Sequence, residues 1–218
     1  MKLTLKQNKL KTKKSILNIT TISDSHGQEP NLPGGDILFH AGDLTQNGFK
    51  VEIIKQLNYL HNQKHLYKHI IITPGNHDFW CEDHPEDFKE ACKSAGIICL
   101  INESIECMGL KIYGSPLTPV FHNWAYNRTP EQLTEAYKNV PKNLDVLMTH
   151  GPPHGVLDKT FFGEHVGCKV LLDTVLRLKP KLHLFGHIHE EGGFDYETKD
   201  TTFKNSAQNV MTFTYEKK

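Results

Sequence analysis

The sequence predicts an α/β protein with mixed β-sheets, and three observations predict it. Short apolar runs alternate with helical patterns along the chain. Those runs are rich in β-branched and aliphatic residues and are bounded by Gly, Pro or Asp, as buried strands are. Two further segments alternate or break at a Met-Gly pair, which signals antiparallel pairing.

Taken in order, residues 16–23 (ILNITTIS), 36–41 (DILFHA), 69–73 (HIIIT), 144–148 (LDVLM) and 182–185 (LHLF) read as the five buried strands. Phe49, Ile53, Leu57 and Leu60 recur at helical spacing between the second and third. Thr129-Pro130-Glu131-Gln132 offers an N-cap, a proline at the first helical position and a glutamine to close a capping box, so a helix is expected to begin there. From 167 to 178, Val170, Leu171, Thr174, Val175 and Leu178 share one helical face, and Cys168 is expected in its core. Residues 105–113 read as a hairpin around Met108-Gly109, and 210–215 (VMTFTY) as a half-buried strand.

Bulk properties set the class. At 218 residues the chain fits one domain, 1–218, with enough core to fold without staples. The formal net charge is zero, so the molecule as a whole is no electrostatic trap for nucleic acid or membrane. Five cysteines without CxxC spacing suit a reduced, cytoplasmic protein. The Lys-rich residues 1–15 read as an edge strand or tail, with neither a signal-peptide core nor a membrane span. Histidine is abundant, with 14 in all, and several of these fall in short motifs.

Where the motifs fall is decisive. Asp24-Ser25-His26, Gly42-Asp43, Gly75-Asn76-His77-Asp78, His150-Gly151 and Gly186-His187-Ile188-His189 each follow one of the five predicted strands. Open α/β sheets place their ligand crevice at those carboxyl ends. Two Asp, four His and one Asn supply oxygen and imidazole donors without thiolate, a set that suits divalent manganese, iron, zinc or nickel. Seven donors exceed what one tetrahedral ion takes. They suit two ions about 3.5–4 Å apart that share a carboxylate, clamp a phosphate and lower the pKa of a bridging water, which then attacks phosphorus. His40 is expected to be a buried histidine rather than a ligand. His154 could touch a substrate phosphate, and Trp124, Tyr126 and Asn127 lie in an aromatic segment that could lid the site.

At this point the chain resembles the calcineurin-like metallophosphoesterases, whose five signature blocks DSH, GDLT, GNHD, THG and GHIH match. Segments 114–127, 149–158, 165–175 and 180–193 are similar to the branch of metallophosphoesterase-domain-containing phosphodiesterases. The resemblance implies a four-layer α/β/β/α sandwich of the metallo-dependent phosphatase type. It implies that Asp24, His26 and His189 hold one metal, that Asn76, His150 and His187 hold the other, and that Asp43 bridges them. Manganese is the expected ion, with iron, zinc, nickel or magnesium as alternatives. His77 would protonate the leaving group, and Asp78 would hydrogen-bond His77. His154, Trp124 and Asn127 would contact substrate. Some animal members of the branch replace the first His of GHxH by Gly; here His187 is present, so two metals are expected.

The function implied is phosphodiester hydrolysis of small nucleotides or similar phosphate esters, with no membrane partner. Long nucleic acid is not expected as substrate, because the chain lacks room for a capping domain. A non-catalytic protein-binding scaffold, a phosphomonoesterase and a protein phosphatase are the competing readings. Complete ligands argue against the first of these.

Overall fold

The computed structural model describes residues 16–217; the Lys-rich segment 1–15 lies outside the described residues. Its elements run β1 (Ile16–Ile22), β2 (Gly35–His40), α1 (Lys50–Asn62), β3 (Tyr67–Ile72), α2 (Phe79–Asp83), α3 (Pro85–Ser94), β4 (Ile98–Cys99), β5 (Glu103–Cys107) and β6 (Leu110–Ser115). They continue with β7 (Thr118–Pro119), β8 (Asn127–Arg128), α4 (Pro130–Lys138), β9 (Val146–Thr149), α5 (Lys169–Leu178), β10 (Leu182–Phe185), β11 (Asp195–Glu197), β12 (Thr202–Asn205) and β13 (Met211–Glu216). No helix among the described residues is long and apolar enough to cross a membrane.

The strands form two large mixed sheets, ordered β13-β1-β2-β3-β4 and β11-β12-β10-β9-β6-β5. β1 to β4 are mutually parallel and β13 closes the first sheet antiparallel to β1. In the second, β6, β9, β10 and β12 are parallel, with β5 and β11 antiparallel at the edges. Side-chain alternation then sorts the core into layers. Ile37, Phe39 and Ile71 meet Ile112, Val146, Met148, Leu182 and Leu184 between the sheets. Their neighbours point the other way: Leu38, Ile70 and Ile72 join Ile53, Leu57 and Leu60 of α1, and Leu147 and Phe185 join Leu133, Tyr137, Leu171 and Val175 of α4 and α5. The result is the expected α/β/β/α sandwich.

Local signals worked where they named a specific hydrogen bond or dihedral. Thr129 Oγ1 accepts from the Gln132 N–H at 3.4 Å, and Gln132 Oε1 accepts from the Thr129 N–H at 2.9 Å, so α4 has its capping box. Met108 and Gly109 both hold positive φ, 49° and 74°, in the two-residue turn joining β5 to β6, with Cys107 opposite Leu110. One periodic residue is misassigned: Phe49 precedes α1 as its N-cap and is 64% exposed. Cys168 is likewise the N-cap of α5 and is buried there, its sulfur accepting from the Leu171 N–H at 3.3 Å.

Candidate metal centre

The five motifs do not line one sheet edge. Asp24, Asp43 and Asn76-His77 follow β1, β2 and β3 of the first sheet; His150 and His187–His189 follow β9 and β10 of the second. Cross-sheet bonds bring the two rims together. His150 Nδ1 meets the Ala41 carbonyl at 2.9 Å, the His187 N–H donates to Asp24 Oδ2 at 2.8 Å, and the Thr21 and Ser206 hydroxyls sit 3.2 Å apart. The turns that achieve this are tight. Asp24, His26, Asp43 and His187 all hold left-handed φ between 45° and 71°, a conformation that non-glycine residues keep only where the surroundings enforce it. At Gly75 and Gly186 a Cβ would run into the Asp43 and Asp24 carboxylates, so the carboxylates approach bare backbone there.

The donor atoms converge. His189 Nε2 lies 3.2 Å from Asp24 Oδ1, and His26 Nε2 lies 3.4 Å from His189 Nε2 and 3.8 Å from Asp43 Oδ2. On the other side of Asp43, Oδ1 is 3.4 Å from His150 Nε2, which is 2.8 Å from Asn76 Oδ1. Ligand-type atoms of Asp24, His26 and His189 lie within 4.8 Å of one another, as do those of Asp43, His150 and His187, and those of His26, Asp43 and His77. Asp43 therefore faces both groups.

Backbone carbonyls set the tautomers. His26, His77 and His150 turn Nδ1 to the carbonyls of Thr45, Gln46 and Ala41, at 3.2, 2.8 and 2.9 Å. A carbonyl only accepts, so Nδ1 carries the hydrogen and each Nε2 lone pair points inward. Imidazole nitrogens and amide and carboxylate oxygens that face one another at 3 to 4 Å need a cation or a proton between them. The titration behaviour agrees. Burial pushes the Asp24 and Asp43 carboxyls up, but His189 and His150 at Asp24, and His150 at Asp43, outweigh it and hold both below the ordinary carboxylate range. Burial lowers His150, yet the Asp43 charge and hydrogen bond raise it to about 9, so a proton takes a cation's place. Burial pushes His187 down to about 4 and lowers His26, which keeps both free to donate lone pairs. The donor set fits divalent metal.

Several residues surround this cluster with roles of their own. The expected Asp78–His77 bond is replaced: Asp78 is fully buried and accepts from Leu44 N, Thr45 N, Thr45 Oγ1 and Gly75 N at 2.8 to 3.1 Å. It splints the Asp43 loop to the Asn76 loop, and the Gln46 carbonyl orients His77 instead. His40 is buried as expected, with Nε2 3.0 Å from Ser25 Oγ and Nδ1 accepting from the Gly42 N–H. Trp124 lies on the His77 ring, centroids 4.2 Å apart and tilted 31°. Its segment is pinned there by Ala125 N–H to the Asn76 carbonyl and by Glu82, which takes the Tyr126 N–H and Arg128.

Two expected substrate contacts are otherwise engaged. The Asn127 amide bonds Thr118 Oγ1 and the Phe121 and His122 carbonyls, so it shapes the loop. His154 turns toward Asp158, 3.8 Å away, and His165. Sequence reasoning missed Asp158, whose buried carboxylate bonds His165 Nδ1 and the Gly155 and Gly167 N–H groups. The signal the sequence offered was an acid closing the His- and Gly-containing segment 149–158. Asn205 Nδ2 holds the Ile188 carbonyl at 2.9 Å and the Leu157 carbonyl at 3.2 Å, fixing the His187–His189 turn. A cavity of about 420 Å³ opens beside Asp24, His26, His77 and His189.

Known proteins resemble the chain over most of its length. The calcineurin-like phosphoesterase family model matches residues 17–191. The human metallophosphoesterase domain-containing protein 1 is 34% identical over 89% of this chain and 66% of its own length. A Caenorhabditis elegans UPF0046 protein is 38% identical over 88% of this chain and 70% of its own. A probable rhamnogalacturonate lyase C of Emericella nidulans is 39% identical over 86% of this chain, which spans only 18% of that protein. A crystal structure of a Thermus thermophilus protein shares the fold with a TM-score of 0.63 at 13% identity, covering 91% of this chain and 99% of its own. The motifs, the sandwich and these matches agree: the chain belongs to the calcineurin-like phosphoesterase family.

Proposed function

We propose that the chain is a phosphoesterase that works with two divalent ions, and that phosphodiesters of small nucleotides are its preferred substrates. The observation that carries this is Asp43, whose carboxylate lies between the Asp24–His26–His189 group and the His150–His187 group, with Asn76 Oδ1 beside His150. Ions held there would supply an acidified water and neutralise charge on the phosphate oxygens.

The chain's own residues account for the rest. His77 keeps Nδ1–H on the Gln46 carbonyl, so its Nε2, 4.0 Å from Asp43 Oδ2, is the end that can pass a proton to a leaving oxygen. Trp124 against the His77 ring limits its rotation. Asp78 keeps the Asp43 and Asn76 turns in register, and Asn205 does the same for His187. The name of the human relative supports metallophosphoesterase chemistry, and the diesterase preference follows the branch resemblance.

The test is a purified-protein panel of 2′,3′- and 3′,5′-cyclic nucleotides, simple diesters and monoesters after chelation and readdition of Mn, Fe, Zn, Ni or Mg, with metal content per chain measured alongside. Hydrolysis restored best by Mn, with two ions per chain, is expected. A stoichiometry of one ion, or activity indifferent to chelation, overturns the dinuclear reading.

A further inference from the structure

His183 stands in the middle of β10, a polar ring in an aromatic layer. Leu182 and Leu184 point between the sheets, so His183 points to the helix side, where the Phe185 and Phe203 rings lie 5.0 and 5.7 Å from its own. It is fully buried, and burial pushes its pKa down to about 3, so the ring is neutral and carries a single N–H. The direction of that N–H follows from its partner. Thr149 Oγ1 lies 2.8 Å from Nε2 and donates its own hydrogen to the Gly151 carbonyl at 2.7 Å. A carbonyl only accepts, so the hydroxyl accepts from His183, and Nε2 holds the ring hydrogen. Nδ1 is then left buried without a partner among the described residues. An unpaired buried acceptor costs stability that an aliphatic side chain at 183 would not incur.

What the histidine secures is one end of the donor cluster. Thr149 immediately precedes His150, and a bond on each side of its hydroxyl confines it to one rotamer. His183, Thr149 and Gly151 thus form a chain that closes around the His150 backbone. That backbone is held on both sides as well, its N–H by the Ser115 carbonyl at 3.1 Å and its carbonyl by the Gly186 N–H at 2.9 Å. Gly151 in turn lies against the other ligand of this half: a Cβ there would sit 3.7 Å from the His187 ring. Asp24 and His26, by contrast, follow a strand of the other sheet. We infer that His183 is a positioning residue for the His150–His187 half of the centre, acting through the Thr149 hydroxyl at the expense of packing in its own layer. The inference rests on the metal-binding reading and adds to it a residue outside the five motifs.

Three variants of the full chain test it. His183→Leu removes the donor, His183→Gln keeps one within reach, and Thr149→Val removes the hydroxyl but keeps the branched shape. Chelated protein is titrated with Mn by equilibrium dialysis, which reads the affinity of each ion. His183→Leu is expected to bind one ion as wild type does and the other about 10-fold more weakly, the low end of what the partners of metal ligands contribute. His183→Gln is expected to restore the second affinity. Combining His183→Leu with Thr149→Val is expected to lose no more than Thr149→Val alone, because one acts through the other. Urea unfolding of chelated His183→Leu is expected at or above the wild-type midpoint. Equal weakening of both ions, unchanged affinity, losses that add, or stability that falls in step with affinity each overturn the inference. Histidine-ring NMR of the chelated protein is a second arm: the His150 and His187 signals move in His183→Leu while that of His26 stays. Movement of all three, or of none, overturns it too. Should His183→Leu fail to fold, Thr149→Val is read in its place by both arms. If wild type takes up fewer than two Mn ions, the dinuclear reading falls, and the ring signals alone decide the role of His183.

Discussion

Asp43 has two carboxylate oxygens, and each serves a different side of the site. Oδ1 accepts the His77 N–H at 2.8 Å and lies 3.4 Å from His150, while Oδ2 lies 3.8 Å from His26. An amide in its place keeps the shape but gives up one anionic oxygen. Asp43→Asn is therefore expected to lower the turnover of a chromogenic diester by about 100-fold or more, beyond the 10–100-fold typical of residues that only support a ligand; circular dichroism unchanged with activity intact would contradict the bridging role. His77→Ala is expected to cut kcat while metal content stays at the wild-type level, because the proposed mechanism uses His77 Nε2 to carry a proton and not to hold an ion. Loss of metal in that variant would make His77 a ligand instead.

Elements matter here through the turns they end in. Asn205 closes β12 and holds the Ile188 carbonyl, so Asn205→Ala frees one buried and one part-buried carbonyl and loosens the His187–His189 turn. A loss of about 2 kcal/mol in urea-unfolding stability together with weaker metal binding is expected; a stability change alone would mean that Asn205 supports only the strand. The cap of α4 is the counterpart far from the chemistry. Thr129→Ala removes one side of the capping box and is expected to lose about 1 kcal/mol of stability with activity per folded molecule unchanged.

On the scale of the whole molecule, the cluster couples metal, proton and fold. Without metal, His150 titrates at about 9 against an ordinary 6.5. A base whose folded pKa is raised adds stability that is complete below 6.5 and disappears as pH climbs through about 9. The melting temperature of chelated protein is accordingly expected to fall across that interval, and the metal-loaded protein, in which the ion replaces the proton, is expected to lack the fall. Differential scanning fluorimetry from about pH 6 to about 9.5, with and without chelator, reads both; parallel curves would rule out the exchange. At the acid end the sign reverses, since the lowered Asp24 and Asp43 carboxyls contribute above about 3.8 and lose that contribution as pH drops toward their folded values.

Taken alone, the sequence did not determine the short strands β4, β7, β8, β11 and β12, but it determined the five strands that end in the motifs, the capping box, the hairpin turn and the residues that make up the candidate donor cluster. These depend on neighbours along the chain, on residue type, or on a period of two that a buried sheet imposes. It could not say that the donors come from two sheets, that Asp78 braces Gly75 and Thr45 rather than His77, or that Asn127 is consumed by its own loop. Most of those facts are contacts between segments tens to more than a hundred residues apart. A side chain with several possible hydrogen-bond partners takes the one that packing brings within about 3 Å, and only the folded chain makes that choice.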